Sequence, residues 1–277
     1  MPELPEVETV VRDLRAHGLE QAVIRDVEVR WPRTVGGSPG RFAAALRGQT
    51  VTRLSRRAKY IVADLASGGR LLIHLRMTGK LRFARPAERP GKHDHVVIAL
   101  ADGRSLIFND TRKFGRLTLA PAGADPLAGL GPEPLDDAFT EAALRRQLKG
   151  KSRMIKPLLL DQTTVAGLGN IYVDEALWQA RIHPARRADT LKPAELRRLH
   201  AAIREVLQRA VDNFGTTLGD GEANFYSVAG RRGRNADALR VFRRDGLPCP
   251  RCGAPLARTV VAQRGTHFCP RCQKEGC

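Results

Sequence analysis

The chain has 277 residues, 42% of them apolar, and carries 47 Lys and Arg against 29 Asp and Glu, a formal charge of +18. That length exceeds one typical core, so two domains are expected; no apolar run approaches a membrane span and no secretory signal opens the chain, which points to the cytoplasm and to no membrane partner. A charge so far from zero calls for a polyanion, and arginines dispersed through folded-looking segments suit a shaped groove for nucleic acid better than a lipid surface.

In chain order, the first informative residues are Pro2, Glu3 and Glu6. Removal of Met1, usual before a small residue, would leave Pro2 as a free secondary amine titrating near pH ~8. Such an amine is partly neutral at neutral pH. It captures an aldehyde as an iminium ion that cannot lose its charge at nitrogen, an electron sink for breaking bonds β to the captured carbon. Glu3 and Glu6 stand beside it as proton shuttles or orienters. The same residues also read as the start of a helix, with Pro and acidic side chains in its first turn. Val7, Val10, Val11 and Leu14 recur at helical spacing up to Gly18. Strand-like runs follow at 23–29, 51–65, 70–77, 96–100 and 105–109, with a hairpin turn at 101–104 joining the last two. The expected fold is α+β: a β-sandwich behind one leading helix over 1–120, then a Pro/Gly/Ala-rich linker over 121–137.

Helical signals fill 138–235. Thr140 can cap a helix holding Leu144 and Leu148, with Gly150 beyond its end. A longer helix from Pro193 buries Leu196, Leu199, Ile203, Val206, Leu207 and Phe214 and stops at Gly215. Between them, Gly167-Leu168-Gly169-Asn170 opens a further helix. Two glycines there let N–H groups approach an anion, with Asn170 as a side-chain contact; a plain helix–helix turn is the alternative. The glycine- and arginine-rich 219–235 reads as a mobile, functional loop.

Residues 236–277 hold every cysteine. Cys249, Cys252, Cys269 and Cys272 form two Cys-Pro-Arg-Cys knuckles, a spacing that suits one tetrahedral zinc ion; with the tetrahedron filled by thiolates the metal is structural. Cys277 is left over. A hairpin is expected between the knuckles with Arg264-Gly265 at its tip, where Arg264 either enters a DNA groove or is solvated.

The motifs MPELPEVET (1–9), RRAKY (56–60), HLRMTGKL (74–81), KHDHV (92–96), NDTRKFGR (109–116), IKPLLLDQ (155–162), GLGNIYVDEALW (167–178), IHP (182–184) and GTTL (215–218) occur in order ahead of the cysteine finger. Over essentially its full length the chain resembles bacterial formamidopyrimidine-DNA glycosylase. The resemblance implies a helix–two-turns–helix domain with the finger, and a monomeric repair enzyme acting on damaged double-stranded DNA in the bacterial nucleoid. It implies excision of 8-oxoguanine and formamidopyrimidines, followed by strand cleavage through β,δ-elimination. By resemblance Pro2 is the nucleophile at C1′, Glu3 the acid/base, and Lys59 a catalytic and phosphate-holding lysine. Asn170 and Arg264 grip phosphates, with His74 and the His93/His95 pair as further contacts. Met77, Arg112 and Phe114 match the trio that fills the gap left by the extruded base, the arginine pairing with the orphaned cytosine. By the same resemblance Glu6 and Lys156 count among the DNA contacts, and Glu175 matches a position near the site.

Base chemistry inside a stacked duplex requires extrusion, which costs a few kcal/mol that apolar wedges partly restore, and a cleft between the domains would track bent DNA. Without the resemblance, Met77, Phe114 and His74 read as core residues sooner than as functional ones. Two rival readings remain at this level: an endonuclease VIII-like glycosylase for oxidised pyrimidines, and a non-catalytic zinc-ribbon DNA-binding protein. The first is disfavoured by Leu4 and the complete trio, the second by the combination of Pro2, Glu3 and Lys59.

Overall fold

The computed structural model describes residues 2–84, 88–219 and 225–275, and the expectations for Met1, Cys277 and residues 220–224 of the 219–235 loop lie outside the described residues. The chain divides into two compact units, residues up to 128 with 213–234, and 129–212 with 235 onward.

The first unit opens with helix α1 (Leu4–Ala16). It continues through β1 (Ile24–Val29), α2 (Pro39–Leu46), β2 (Val51–Arg57), β3 (Tyr60–Leu65), β4 (Arg70–His74), β5 (Lys80–Ala84), β6 (Asp94–Leu100), β7 (Ser105–Asn109) and β8 (Arg116–Ala120). The strands form two antiparallel four-stranded sheets, ordered β1-β6-β7-β5 and β2-β3-β4-β8. Alternation explains the core. Val96, Ile98 and Leu100 of β6 and Leu71 and Ile73 of β4 turn inward and meet Val7, Val10, Val11 and Leu14 of α1. Each such side chain contributes about 1.5–3 kcal/mol when fully buried.

The expected strand over 51–65 is two strands, broken at Ala58, whose φ of 52° reverses the chain. The apolar run continues because β2 and β3 share a sheet. The expected hairpin at 101–104 is present, with Gly103 at φ 90°. Helix α2 and strands β5 and β8 had no sequence forecast, being short and largely half-exposed.

The expected helical domain over 138–235 gives up its end: residues 213–234 pack with the sandwich. Val228 joins the sandwich core. Asp13 of α1 accepts the Ala229 N–H (3.2 Å) and the Arg231 guanidinium (2.5 Å). Burial raises the Asp13 carboxyl, but hydrogen bonds from Ser227, Ala229 and Arg231 outweigh it and hold the group below the usual carboxylate range. The described part of the 219–235 loop, residues 225–234, is thus fixed to α1. Phe214, forecast as a helix residue, lies beyond the helix end at φ 59°, flanked by Arg231 and Arg234 at 5.6 and 5.2 Å.

The second unit contains α3 (Glu141–Leu148), α4 (Ile155–Leu160), α5 (Asn170–Ala180), α6 (Pro193–Asp212) and a hairpin of β9 (Ala257–Val261) and β10 (Arg264–Phe268). Thr140 caps α3 as expected, its hydroxyl accepting from the Ala143 N–H at 3.2 Å. Helix α5 is buried on nearly every side and packs against α4, α6 and β10. Among the described residues no helix is long and apolar enough to cross a membrane.

Two loops of the first unit close over one ring. Phe108 is 1% exposed and lies under both the β4–β5 and the β7–β8 connection. A Cβ on Gly115 would overlap Phe108 Cζ, and one on Gly79 would stand 2.5 Å from the Leu75 carbonyl oxygen and 3.0 Å from Phe108 Cζ. Gly115→Ala should therefore force the ring aside and cost about 1–3 kcal/mol, as overpacking does. Urea unfolding of the two proteins measures it, and equal stabilities would show that the ring has room to move.

Candidate active site and nucleic-acid interface

The N-terminus is anchored by a carboxylate. Glu3 and Glu6 form a capping box at the start of α1, with the Glu3 N–H donating to Glu6 Oε2 at 2.8 Å. The other oxygen of Glu6 accepts the Thr216 N–H at 2.7 Å. Gly215, at φ 80°, permits this contact, since a Cβ there would stand 2.9 Å from Glu6 Oε1. Both oxygens of Glu6 are taken by backbone N–H groups, so in place of the DNA contact that the resemblance implied it holds the peptide that follows Pro2. Pro2 and Glu3 are buried beside it.

Lys59 occupies the β2–β3 turn next to Ala58 and is 6% exposed. That turn is tied to α1, because Arg56 donates to the Ala58 carbonyl and to Glu8, each at 3.1 Å. His74 pairs with Tyr60 across the β3–β4 ladder, its ring edge-on to the tyrosine with centroids 4.6 Å apart. Its Nδ1 accepts the Arg76 N–H at 3.0 Å, which leaves the proton on Nε2. Burial, reinforced by the Arg76 and Lys59 charges, pushes the imidazole down to about 3.

Met77 and Phe114 are 37% and 48% exposed, which rules out the core reading for both. The Arg112 guanidinium lies 4.9 Å over the Phe114 ring. Asp110, which the sequence pattern did not single out, joins the loops that carry the three. Its carboxylate accepts the Thr78 hydroxyl (2.5 Å), the Arg112 N–H (3.1 Å) and the Gly115 N–H (2.7 Å). Its backbone is gripped by the histidine pair: the Asp110 N–H donates to the His93 carbonyl at 2.9 Å, and His95 Nε2 donates to the Asp110 carbonyl at 2.7 Å. His93 is half-buried and keeps Nδ1 without a hydrogen-bond partner among the described residues. Beside Thr78 opens a pocket of about 470 Å³ lined by Lys80, Arg82, Asn109, Tyr226 and Ser227 among others, with the Lys80 ammonium 5.1 Å over the Tyr226 ring.

In the second unit the expected site residues converge on the hairpin. Its turn is Ala262-Gln263, both left-handed at φ 46° and 62°, so Arg264 is not at the tip as expected but is the first residue of β10, opposite Val261. Arg264 remains exposed. A two-residue turn with both φ positive matches the strand twist, and non-glycine residues there disguised it. The Asn170 side-chain amide donates to the Gly265 carbonyl at 2.9 Å. Lys156, also expected among the DNA contacts, is 0% exposed: its ammonium donates to Asp174 Oδ1 (2.6 Å), Thr266 Oγ1 (2.8 Å) and the Gly265 carbonyl (3.1 Å). A lysine so enclosed reaches no phosphate; it positions the strand that carries Arg264. Asp174 completes the clamp through the His267 N–H at 2.9 Å. Its neighbour Glu175 accepts the N–H groups of Arg240, Val241 and Phe242 at 2.8–3.1 Å, tying the approach to the finger onto α5. Burial raises the Glu175 carboxyl, opposed by those three donors.

The four sulfurs of Cys249, Cys252, Cys269 and Cys272 lie within 4.8 Å of one another. Four thiolates around one zinc at ~2.3 Å would stand about 3.8 Å apart, so the set fits one ion with no position left for substrate. The Cys272 N–H donates to Cys269 Sγ at 3.4 Å, and Gln273 closes the second knuckle by accepting the Cys269 N–H at 2.8 Å. Arg251 stacks 4.1 Å over Trp178 of α5, whose ring belongs to the finger's small core.

Two outcomes follow from this geometry. Lys156→Met leaves Asp174 buried without its cation and should cost about 3–5 kcal/mol. Amide exchange should quicken first along 264–268, and unchanged protection there would refute the clamp. His74, whose imidazole is pushed down to about 3, stays neutral across the physiological range. Because the unfolded ring takes up a proton below about pH 6.5 and the folded one does not, stability contributed by this site is present above that pH and is lost progressively as pH falls towards 3. In an NMR titration the His74 ring signals should not move between pH 8 and about 4.5; a midpoint near 6.5 would contradict the burial argument.

The sequence matches the family models of the formamidopyrimidine-DNA glycosylase N-terminal domain over 1–117, its H2TH domain over 130–220, and the zinc finger found in FPG and IleRS over 246–274. Formamidopyrimidine-DNA glycosylase of Roseiflexus sp. (strain RS-1) is 47% identical, covering 99% of this chain and 100% of its own. Among solved structures, the MutM (FPG) protein of Thermus thermophilus is 43% identical with a TM-score of 0.89, covering 99% of this chain and 100% of that one. A Lactococcus lactis FPG variant, solved in complex with Fapy-dG-containing DNA, is 39% identical with a TM-score of 0.90 and the same coverage. With its two domains, its finger and relatives matched from end to end, the chain belongs to the formamidopyrimidine-DNA glycosylase family.

Proposed function

We propose that this protein excises oxidised purines, 8-oxoguanine and formamidopyrimidines, from duplex DNA and then cleaves the strand at the abasic site. The observation that carries the reading is the fixed start of α1, where Glu6 pins the peptide joining Pro2 to Glu3 in a buried setting. A nucleophile gains most when its position is fixed before substrate arrives.

In this reading the lesion nucleotide leaves the stack, and the exposed Met77, Arg112 and Phe114 enter its place. Phe114 and Met77 restore stacking, and Arg112 offers paired N–H donors to the acceptors of the orphaned cytosine. The pocket beside Thr78, with Tyr226 as an aromatic wall and polar groups from Asn109 and Ser227, has the size and chemistry to hold the extruded base. The Pro2 nitrogen attacks C1′ as the bond to the base breaks, and Glu3 supplies a proton along this path. Sugar-ring opening then gives the iminium. Its positive nitrogen acidifies the C2′ proton; loss of that proton expels the 3′ phosphate, and a second elimination expels the 5′ phosphate. Lys59, His74, Asn170 and Arg264 hold flanking phosphates, with His74 donating from Nε2 as a neutral group. Phosphate contacts of this kind make affinity fall with salt. Cys249, Cys252, Cys269 and Cys272 would hold a structural zinc ion, which would give the hairpin a rigid base and take no part in these steps.

The test is borohydride trapping on a duplex with one 8-oxoguanine opposite cytosine, followed by peptide mapping. An adduct at Pro2 supports nucleophile, Met1 removal and substrate class together. Trapping only on a duplex carrying an oxidised pyrimidine would move the substrate class, and wild-type cleavage by Pro2→Gly would overturn the mechanism. Glu3→Gln should slow base release by about 10²–10⁴-fold, the usual worth of a positioned acid.

A further inference from the structure

We propose that Trp31 is a positioning residue for reading the base opposite the lesion, acting through Lys113; this rests on the role given above to Arg112.

Lys113 sits between Arg112 and Phe114 with φ 60°, a conformation that a lysine adopts rarely and holds only when its surroundings impose it. Its backbone is held from two directions. The Asp110 carboxylate accepts the N–H groups on either side, from Arg112 and Gly115. The Arg116 guanidinium donates to the Lys113 and Gly115 carbonyls at 3.1 and 2.8 Å. Its side chain is held by a third partner, the Trp31 ring, 3.9 Å from the ammonium to the ring centroid. A cation at that height over an indole is within the range where the ring quadrupole attracts it.

Trp31 is itself a fixed platform. The Arg30 and Trp31 N–H groups both donate to the His95 carbonyl, at 2.9 and 3.3 Å. Five residues on, the Gly36 N–H donates to the Leu117 carbonyl of β8 at 3.0 Å, so the segment is strapped along the strand that follows the Arg112 loop. The imidazole of the same His95 donates to the Asp110 carbonyl at 2.7 Å. One histidine thus sets the height of the tryptophan by its backbone and that of the loop by its ring. With the Lys113 side chain kept against the indole, the side chains of Arg112 and Phe114 are left exposed and stacked on each other. Without the ring, Lys113 extends into solvent, the left-handed bend relaxes, and the guanidinium must find its hydrogen-bonding direction anew in each encounter.

The experiment compares cleavage of duplexes carrying one 8-oxoguanine opposite cytosine or opposite adenine, using kcat/KM, with cleavage of a single-stranded oligonucleotide holding a preformed abasic site, which has no opposite base. Trp31→Leu should lower the cytosine-to-adenine ratio by about two- to fivefold, the worth of an exposed cation–π contact, and leave single-strand cleavage unchanged. Trp31→Phe, which keeps a π face, should restore most of the ratio, and Lys113→Met should lower it as Trp31→Leu does. A ratio unaffected by Trp31→Leu and Lys113→Met overturns the proposal, as does an equal loss on all three substrates, which would signal general damage to the fold. Arg112→Ala run in parallel separates the two levels. If it lowers the ratio while the Trp31 and Lys113 variants do not, the proposal falls alone; if it leaves the ratio unchanged, the role of Arg112 falls and the proposal with it.

Discussion

A carboxylate can be buried only if its oxygens meet donors, and this chain uses that requirement to fix the segments on which its chemistry depends. Glu6 fixes the N-terminal peptide, Asp110 the two loops of the trio, Asp174 the hairpin and Glu175 the approach to the finger. In each case the donors include backbone N–H groups. A side chain that grips backbone leaves no rotamer of a partner to adjust, so the gripped segment has one position. Such anchors are stiff but unforgiving, because removing either side leaves a desolvated polar group behind.

The same constraint explains why motif residues divide into those that face outward and those that do not. Lys156 and Glu6 lie within motifs as distinctive as that of Arg112 and Phe114, yet they are fully enclosed where the latter two are exposed. Their sequence signature is indistinguishable from that of a ligand contact, since a lysine that grips a carbonyl and one that grips a phosphate are the same residue type. What separates them is the partner supplied from more than a hundred positions away, as Gly265 and Thr266 are for Lys156. Local pattern carries no information about such a partner.

The parts of the fold that were legible are those whose period is long or whose chemistry is local. The α1 and α6 stripes, the Thr140 cap, the hairpin at Gly103 and the paired cysteine knuckles all followed from residues within a few positions of one another. The misplaced features have left-handed residues that are not glycine. Ala58 splits a strand, Phe214 turns out of the helix it was expected to extend, and Ala262-Gln263 shifts a hairpin tip by two positions. In each the conformation is imposed by tertiary contacts and strand twist, against local preference. The placement of 213–234 with the sandwich was hidden for a related reason: it depends on Asp13 and Glu6 of α1, which the helical pattern preceding Asn213 does not foreshadow.

The finger shows how the two kinds of anchor combine. Its own core is small: Trp178, Val241, Leu256 and two of the cysteines. So few apolar groups cannot offset the ordering entropy of the segment, which is the circumstance in which small domains rely on a metal. The metal, however, only joins the two knuckles to each other. The direction in which the intervening hairpin presents Arg264 is set by Asp174, Lys156 and Asn170, all of which act on its second strand from α4 and α5. Metal and buried ion pair therefore control different quantities, the existence of the hairpin and its aim. The phosphate-holding role proposed for Arg264 needs both, since a rigid hairpin held at the wrong angle would deliver its charge to water.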